Sequence, residues 1–208
     1  MKVKLEIVSG FLESGKTSFI NSYLISESCY KEDILVILLE RGNCNIREDL
    51  SNIKVVYLEE VEKLKEVIIK ELRNKIYYKI IIEFNGTSNL KLISNLLSCK
   101  ELKRKMNFYG LYFVGNSVTL MSYIKNLGEI LIPYIKSSKL IILNNISLLK
   151  EKEINNLITN IEDINPIAPI ILSKRINLLE NEIRESKYFK DNKVIKKIKN
   201  FLILRRGQ

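Results

Sequence analysis

Two hydrophobic patterns alternate along the chain. Short apolar runs predict buried β-strands, and longer segments with an apolar residue at every third or fourth position predict amphipathic helices. Strands are predicted at 2–9, 34–39, 53–58, 77–84, 108–115, 139–144 and 168–172. Helices are predicted from residue 15 onward, at 59–74, at 89–97, after residue 115, at 148–161 and at 176–189. Strands separated by helices favour an α/β fold with a mostly parallel sheet and helices on both faces.

The length of the chain fits one domain of this kind. The chain has 208 residues, which is enough to bury a sizeable core. Glycine and proline are few, and neither an internal repeat nor a long linker is visible. We therefore expect a single domain over residues 1–208, in which residues 185–208 form a basic C-terminal segment.

The composition excludes several classes of protein. The mean hydropathy is close to zero, and no apolar run reaches the roughly 18 residues of a membrane span, so no membrane partner is expected. The N-terminus lacks the pattern of a signal peptide, which favours a cytoplasmic location. The three cysteines are far apart and form no CxxC pair, and histidine is absent. Neither a disulfide framework nor a zinc knuckle is therefore expected.

The net charge of +10 has two interpretations. An excess of lysine and arginine attracts nucleic acids. Here, however, the basic residues are spread along the chain outside the C-terminal segment, and the sequence is rich in Ile, Lys and Asn. We attribute the charge to compositional bias and regard a nucleic-acid partner as the less favoured alternative.

The first predicted strand is followed by a phosphate-binding motif, the Walker A sequence or P-loop. Gly10, Gly15, Lys16 and Thr17 match G-x-x-x-x-G-K-[ST], and the match lies between a strand and a helix, as this motif requires. Glycines allow successive N–H groups to point at an anion, and the start of the helix adds its positive dipole end. The lysine reaches the β- and γ-phosphates, and the threonine hydroxyl ligates Mg²⁺.

We therefore predict that this loop holds a nucleoside triphosphate, with a chance match as the alternative. The predicted nucleotide-binding residues of the loop are Gly10, Glu13, Ser14, Gly15, Lys16, Thr17 and Ser18.

The strand at 77–84 offers an acidic partner for the loop. Glu83 lies at the end of this strand, and parallel strands bind ligands at their carboxyl ends. We predict that Glu83 holds Mg²⁺ through its water or orients the attacking water, and that the N–H of Gly86 senses the γ-phosphate. The alternative is an ordinary strand-end charge followed by a turn glycine.

Together these motifs resemble those of the CobW/HypB/UreG group of P-loop GTPases, and of CobW-like proteins in particular. The segments that carry the resemblance are SGFLESGKTSFI, LLERGN at 38–43, IIEFNGTSN at 81–89, LIILNNISLL at 140–149 and INPIAPIILS at 164–173. The resemblance covers residues 1–175 and implies a Mg²⁺-dependent nucleotide switch that helps to deliver metals or cofactors to enzymes. It also implies that Asn144 contacts the nucleotide, and it makes Glu40 a weaker candidate for the metal.

The chain departs from the family pattern at four places. Glu13 replaces a glycine of the P-loop, and the guanine-reading N-K-x-D segment is NNIS, with Ser147 in place of the aspartate. The G-C-x-C-C metal-binding motif is absent, and only Cys44 lies in the corresponding segment. The C-terminal domain of CobW-like proteins is not expected. A zinc or nickel site within one chain is therefore not predicted, although paired Cys44 thiolates of two protomers remain an alternative.

The sequence thus predicts a Mg²⁺-dependent nucleoside triphosphatase, with GTP favoured over ATP and slow hydrolysis. Lys16 and Glu83 are the predicted catalytic residues, and Thr17 and Glu83 the predicted Mg²⁺ ligands. The expected role is that of an accessory switch or chaperone for a metallo- or cofactor-dependent client enzyme. A nucleotide-dependent homodimer is the alternative to a monomer. A degenerate binding module without turnover and a small-molecule kinase are the alternatives.

Overall fold

The computed structural model describes residues 2–28, 32–39, 45–47, 51–186 and 188–189. The strands are β1 Val3–Gly10, β2 Ile34–Leu38, β3 Ile53–Tyr57, β4 Lys79–Asn85, β5 Met106–Asn116, β6 Leu140–Asn144 and β7 Ile170–Leu172. The helices are α1 Lys16–Ser28, α2 Leu64–Asn74, α3 Leu90–Ser98, α4 Lys100–Lys105, α5 Leu120–Lys136, α6 Glu151–Ile164 and α7 Leu179–Glu185. No helix of the described part of the chain is long and apolar enough to cross a membrane.

The strands form one sheet in the order β3-β2-β4-β1-β5-β6-β7, and every neighbouring pair is parallel. This arrangement confirms the predicted α/β class. Strand β1 lies at the centre, between β4 and β5. Because the strands are parallel, their carboxyl ends lie at one edge of the sheet, and the segments that follow β1, β4, β5, β6 and β7 meet there.

Helices cover both faces of the sheet, as predicted. On one face, the buried side chains of α2 to α6 pack on alternate residues of the strands, such as Leu5 and Ile7 of β1. On the other face, α1 and α7 pack on residues such as Val8 of β1 and Val114 of β5. Helix α1 starts at the phosphate-binding motif and packs against both the sheet and α7.

A polar cluster lies under α1, between that helix and the sheet. Glu6 of β1 is fully buried, and Lys79 of β4 pairs with it at 3.0 Å. The hydroxyls of Tyr23 and Tyr112 each donate to Glu6 at 3.1 Å, and Lys79 also bonds to Tyr23. Burial, together with the charge of Glu6, raises the pKa of Tyr112, so this hydroxyl stays a donor. Through these interactions, the cluster connects α1 to strands β1, β4 and β5.

Some predicted boundaries were wrong. Helix α4 was not predicted, because Leu102 is its only buried residue within a charged segment. Strand β5 starts at Met106 rather than at residue 108, since the polar residue Asn107 interrupts its apolar pattern. The helix predicted at 59–74 begins only at Leu64, after a 3₁₀ turn at Val61–Lys63.

Candidate functional site

The loop between β1 and α1 has the backbone that its motif predicts. Gly15 has a φ of 94°, and a Cβ there would lie 2.6 Å from the side chains of Asn144 and Ile176. A Cβ on Gly10 would lie 2.1 Å from the carbonyl oxygen of Val114. Both positions therefore require glycine, one because of its backbone conformation and contacts, and the other because β5 passes so close. The loop is held against its neighbours and turns directly into α1.

Glu13 departs from the family pattern at a strained position. Its φ is 56°, in the left-handed region, and its side chain is exposed. A non-glycine residue in this conformation costs about 1–2 kcal/mol, because its Cβ approaches the following carbonyl oxygen. The family glycine that Glu13 replaces would carry no such cost. The loop thus adopts the left-handed conformation at position 13 although glutamate does not favour it.

Two side chains of the loop are buried and suit an anion. Lys16 is 4 % exposed, and its ammonium group donates to the carbonyl oxygen of Phe11 at 3.1 Å. Ser14 is also buried, and among the described residues its hydroxyl has no hydrogen-bond partner. A bound phosphate would supply an acceptor to both groups, at the positive end of α1. The residues present therefore fit a phosphate group.

Thr17 and Glu83 meet at the carboxyl edge of the sheet. The Thr17 hydroxyl lies 3.1 Å and 2.9 Å from the two carboxylate oxygens of Glu83, which belongs to β4 and is 4 % exposed. These side chains are 66 residues apart in sequence. A hydroxyl and a carboxylate are hard oxygen donors of the kind that Mg²⁺ prefers, and this metal keeps most of its other ligands as water or phosphate. The pair fits a Mg²⁺ ion bound together with nucleotide.

The other predicted residues lie at the same edge but differ in what they contact. The N–H of Gly86 donates to the carbonyl oxygen of Gly10 at 3.0 Å, so it holds β4 to the loop. A role in sensing the γ-phosphate would require this bond to break, and that role stays a prediction. Ser18 is half-buried in the first turn of α1, where its carbonyl accepts from the Ser22 hydroxyl at 2.9 Å.

Asn144 connects the end of β6 to the loop. Its side-chain amide donates to the carbonyl oxygen of Ser14, and the whole residue is buried. Its Oδ1 has no hydrogen-bond partner among the described residues. The structure thus brings Asn144 to the predicted nucleotide site, where its side-chain amide holds the loop and its side-chain oxygen is buried.

Sequence reasoning missed the segment that follows β7. Ile176 contacts the position of Gly15, and the carbonyl oxygen of Lys174 accepts from the Ser147 hydroxyl at 2.8 Å. The amide of Lys174 in turn donates to Glu182 of α7 at 2.9 Å. Lys174, Ile176 and Glu182 belong to no recognisable motif, because their positions depend on how the loops after β6 and β7 fold onto each other.

Several predicted candidates lie outside the described residues. They are Glu40, Cys44 and most of the basic C-terminal segment. Within the described ranges, no group of three or more Cys, Asp or Glu side chains is placed to hold a metal ion. The prediction that the chain carries no zinc therefore stays a prediction.

Comparison with known proteins agrees with the geometry. The family model of the CobW/HypB/UreG nucleotide-binding domain matches residues 4–172. The crystal structure of the Zn(II)-bound YjiA GTPase from E. coli is 20 % identical, with a TM-score of 0.64 over 82 % of this chain and 57 % of that one. The hydrogenase maturation factor HypB from Archaeoglobus fulgidus is 18 % identical, with a TM-score of 0.53 over 88 % of this chain and 89 % of that one.

A second HypB structure, from Helicobacter pylori in complex with nickel, is 13 % identical, with a TM-score of 0.51 over 96 % of this chain and 88 % of that one. At these identities the structural likeness shows the fold alone. This chain spans little more than half the length of YjiA. No curated protein matches the sequence.

Proposed function

The chain belongs to the CobW/HypB/UreG family of nucleotide-binding domains, and from this we propose that it binds a nucleoside triphosphate with Mg²⁺ and hydrolyses it slowly. GTP is the nucleotide that the family resemblance favours. The single observation that carries the proposal is the contact of the Thr17 hydroxyl with both oxygens of Glu83, beside a buried lysine at the start of α1.

Each residue of the site has a distinct task in this proposal. The ammonium group of Lys16, which now donates to a loop carbonyl 3.1 Å away, turns to the phosphates and neutralises their charge. The Thr17 hydroxyl and the Glu83 carboxylate hold Mg²⁺, directly or through its water. When bound, this ion would offset the negative charge of the phosphates. The backbone N–H groups from Gly15 to Thr17 surround the phosphates, as the start of a helix allows.

Hydrolysis is expected to be slow. The sequence contains no histidine, so the commonest general base is absent. Glu83 is the carboxylate that contacts Thr17, and in this proposal it also holds the metal. Fast turnover in such enzymes often depends on an arginine supplied by a partner. A slow switch whose turnover depends on a partner suits an accessory protein better than a metabolic enzyme.

We further propose that this domain assists a metallo- or cofactor-dependent client enzyme. The support is the family to which the chain belongs, and the HypB relative is described as a hydrogenase maturation factor. We also propose that residues 1–208 form a single domain. Measuring nucleotide affinity in wild type and Lys16→Ala tests the binding site, and measuring phosphate release in the wild type tests turnover separately.

A further inference from the structure

We propose that the site does not select its base, so that ATP and GTP bind with comparable affinity. This inference rests on the proposed function, because it assumes that the loop after β1 holds a triphosphate. It goes further in naming the substrate class as purine nucleoside triphosphates rather than GTP alone. The inference depends on where the base lies and on which hydrogen-bonding groups and side chains the chain places there.

The topology places the base on the β6 side of the loop. Glu83, which with Thr17 fits the metal, lies on β4, on one side of the central strand β1. Glu83 and Thr17 would hold Mg²⁺ beside the terminal phosphates, so these phosphates would lie on that side. The nucleoside, at the other end of the triphosphate, extends toward β5, β6 and β7. Two segments contact the loop there, through Asn144 and through Ile176.

Reading guanine requires an acceptor for its two neighbouring N–H groups. A carboxylate can accept from both at once, whereas adenine presents one donor and one acceptor at the same edge. The segment after β6 reads NNISLL at 144–149, and the segment after β7 reads SKRINL at 173–178. Neither segment contains aspartate or glutamate. The charged double acceptor that would distinguish guanine from adenine is therefore missing from both.

Four hydrogen-bond donors of these segments already have partners in the described structure. The Ser147 hydroxyl donates to the carbonyl oxygen of Lys174 at 2.8 Å, and the Ser147 amide donates to the same oxygen at 3.3 Å. The Lys174 amide donates to Glu182 at 2.9 Å, and the Ser173 hydroxyl donates to the carbonyl oxygen of Arg175 at 2.9 Å. A base that used any of these groups would have to break an existing hydrogen bond.

The other side chains that these segments offer a base are apolar, amide or cationic, and none of them is a carboxylate. Leu148 is 69 % exposed and Ile176 is 37 % exposed. Contacts with such side chains involve the faces of the rings and discriminate weakly between bases of similar size. The amide oxygen of Asn144 is a buried neutral acceptor, and if a base reached it, adenine and guanine would each have an N–H to donate to it. The site thus binds purines without a strong preference.

The test is to titrate the wild-type protein with Mg²⁺ and non-hydrolysable analogues of GTP and ATP. The expected dissociation constants differ by less than about tenfold, which corresponds to about 1.4 kcal/mol. The expected effect of Ser147→Asp is a rise of about tenfold or more in the preference for GTP, because the variant supplies the missing double acceptor. The matched variant Ser147→Ala leaves the ratio unchanged.

Three results would overturn the inference. One is a preference of the wild type for GTP above about a hundredfold. Loss of such a preference in Glu182→Gln would then show that Glu182 recognises guanine. The second carboxylate oxygen of Glu182 is buried and has no hydrogen-bond partner in the described structure. A ratio that does not respond to Ser147→Asp in a folded protein would place the base elsewhere. Binding of neither nucleotide would contradict the proposed function itself, together with this inference.

Discussion

Replacing Lys79 with methionine is expected to destabilise the fold strongly. Methionine keeps the length of the side chain but leaves Glu6, which is fully buried, without the cation 3.0 Å away. Two unit charges at this distance attract each other by about 5.5 kcal/mol at an effective dielectric constant of 20. The hydroxyls of Tyr23 and Tyr112 still donate to the carboxylate and offset part of this loss. We therefore expect a decrease of about 3–5 kcal/mol in the free energy of unfolding.

Urea denaturation at pH 7, followed by circular dichroism, measures this change. The double variant Glu6→Gln/Lys79→Met should recover much of the loss, because no unpaired charge is left inside. The control is Lys63→Met, which removes a surface ion pair with Glu60, and there we expect no measurable change in the denaturation midpoint. A loss below about 1 kcal/mol in Lys79→Met would refute the reasoning, since it would mean that Glu6 does not depend on the lysine.

Two further predictions concern the loop after β1 and the stability of the protein at acid pH. Glu13→Gly should raise the free energy of unfolding by about 0.5–1 kcal/mol in denaturation experiments, because it removes left-handed strain at a small entropic cost, whereas Glu13→Ala should bring no gain. Burial raises the pKa of Glu71, but hydrogen bonds from Lys54 and Tyr77 outweigh it and leave the pKa below its ordinary value of 4.5. The stability that this carboxylate contributes is present above pH 4.5 and is lost as the pH falls through the lower folded-state pKa. Unfolding measured against pH should therefore show a shallower acid decline in Glu71→Gln, and an unchanged slope would contradict this assignment.

Most of the fold could be predicted from the sequence, because its central strands are continuous apolar runs. Strands β2 and β6, for example, are buried at every residue. Helix α4 has no such pattern and was not predicted. It contains six residues of which only Leu102 is buried, so neither helical nor strand periodicity is visible. The position of such a short helix depends on the elements before and after it in the chain.

The site could be predicted only where a motif determines the local backbone. The spacing of Gly15, Lys16 and Thr17 predicts a loop followed by a helix, and that is what the structure shows. That Glu83 lies within hydrogen-bond distance of Thr17 follows from parallel strands ending at one edge. The pairing of Ser147 with the segment after β7 could not be predicted, because it depends on two loops that are far apart in sequence.

The central claim is that the loop after β1 binds a nucleoside triphosphate together with Mg²⁺. Calorimetric titration of the wild type and of Lys16→Ala with GTP and ATP analogues, with Mg²⁺ and with a chelator, tests it most directly. Lys152→Ala, which removes an exposed lysine of α6, is the control. We expect the wild type and the control to bind equally, and Lys16→Ala to lose at least about tenfold in affinity, because charge-assisted hydrogen bonds to phosphate are removed. Equal affinity in the wild type and in a folded Lys16→Ala would contradict the claim.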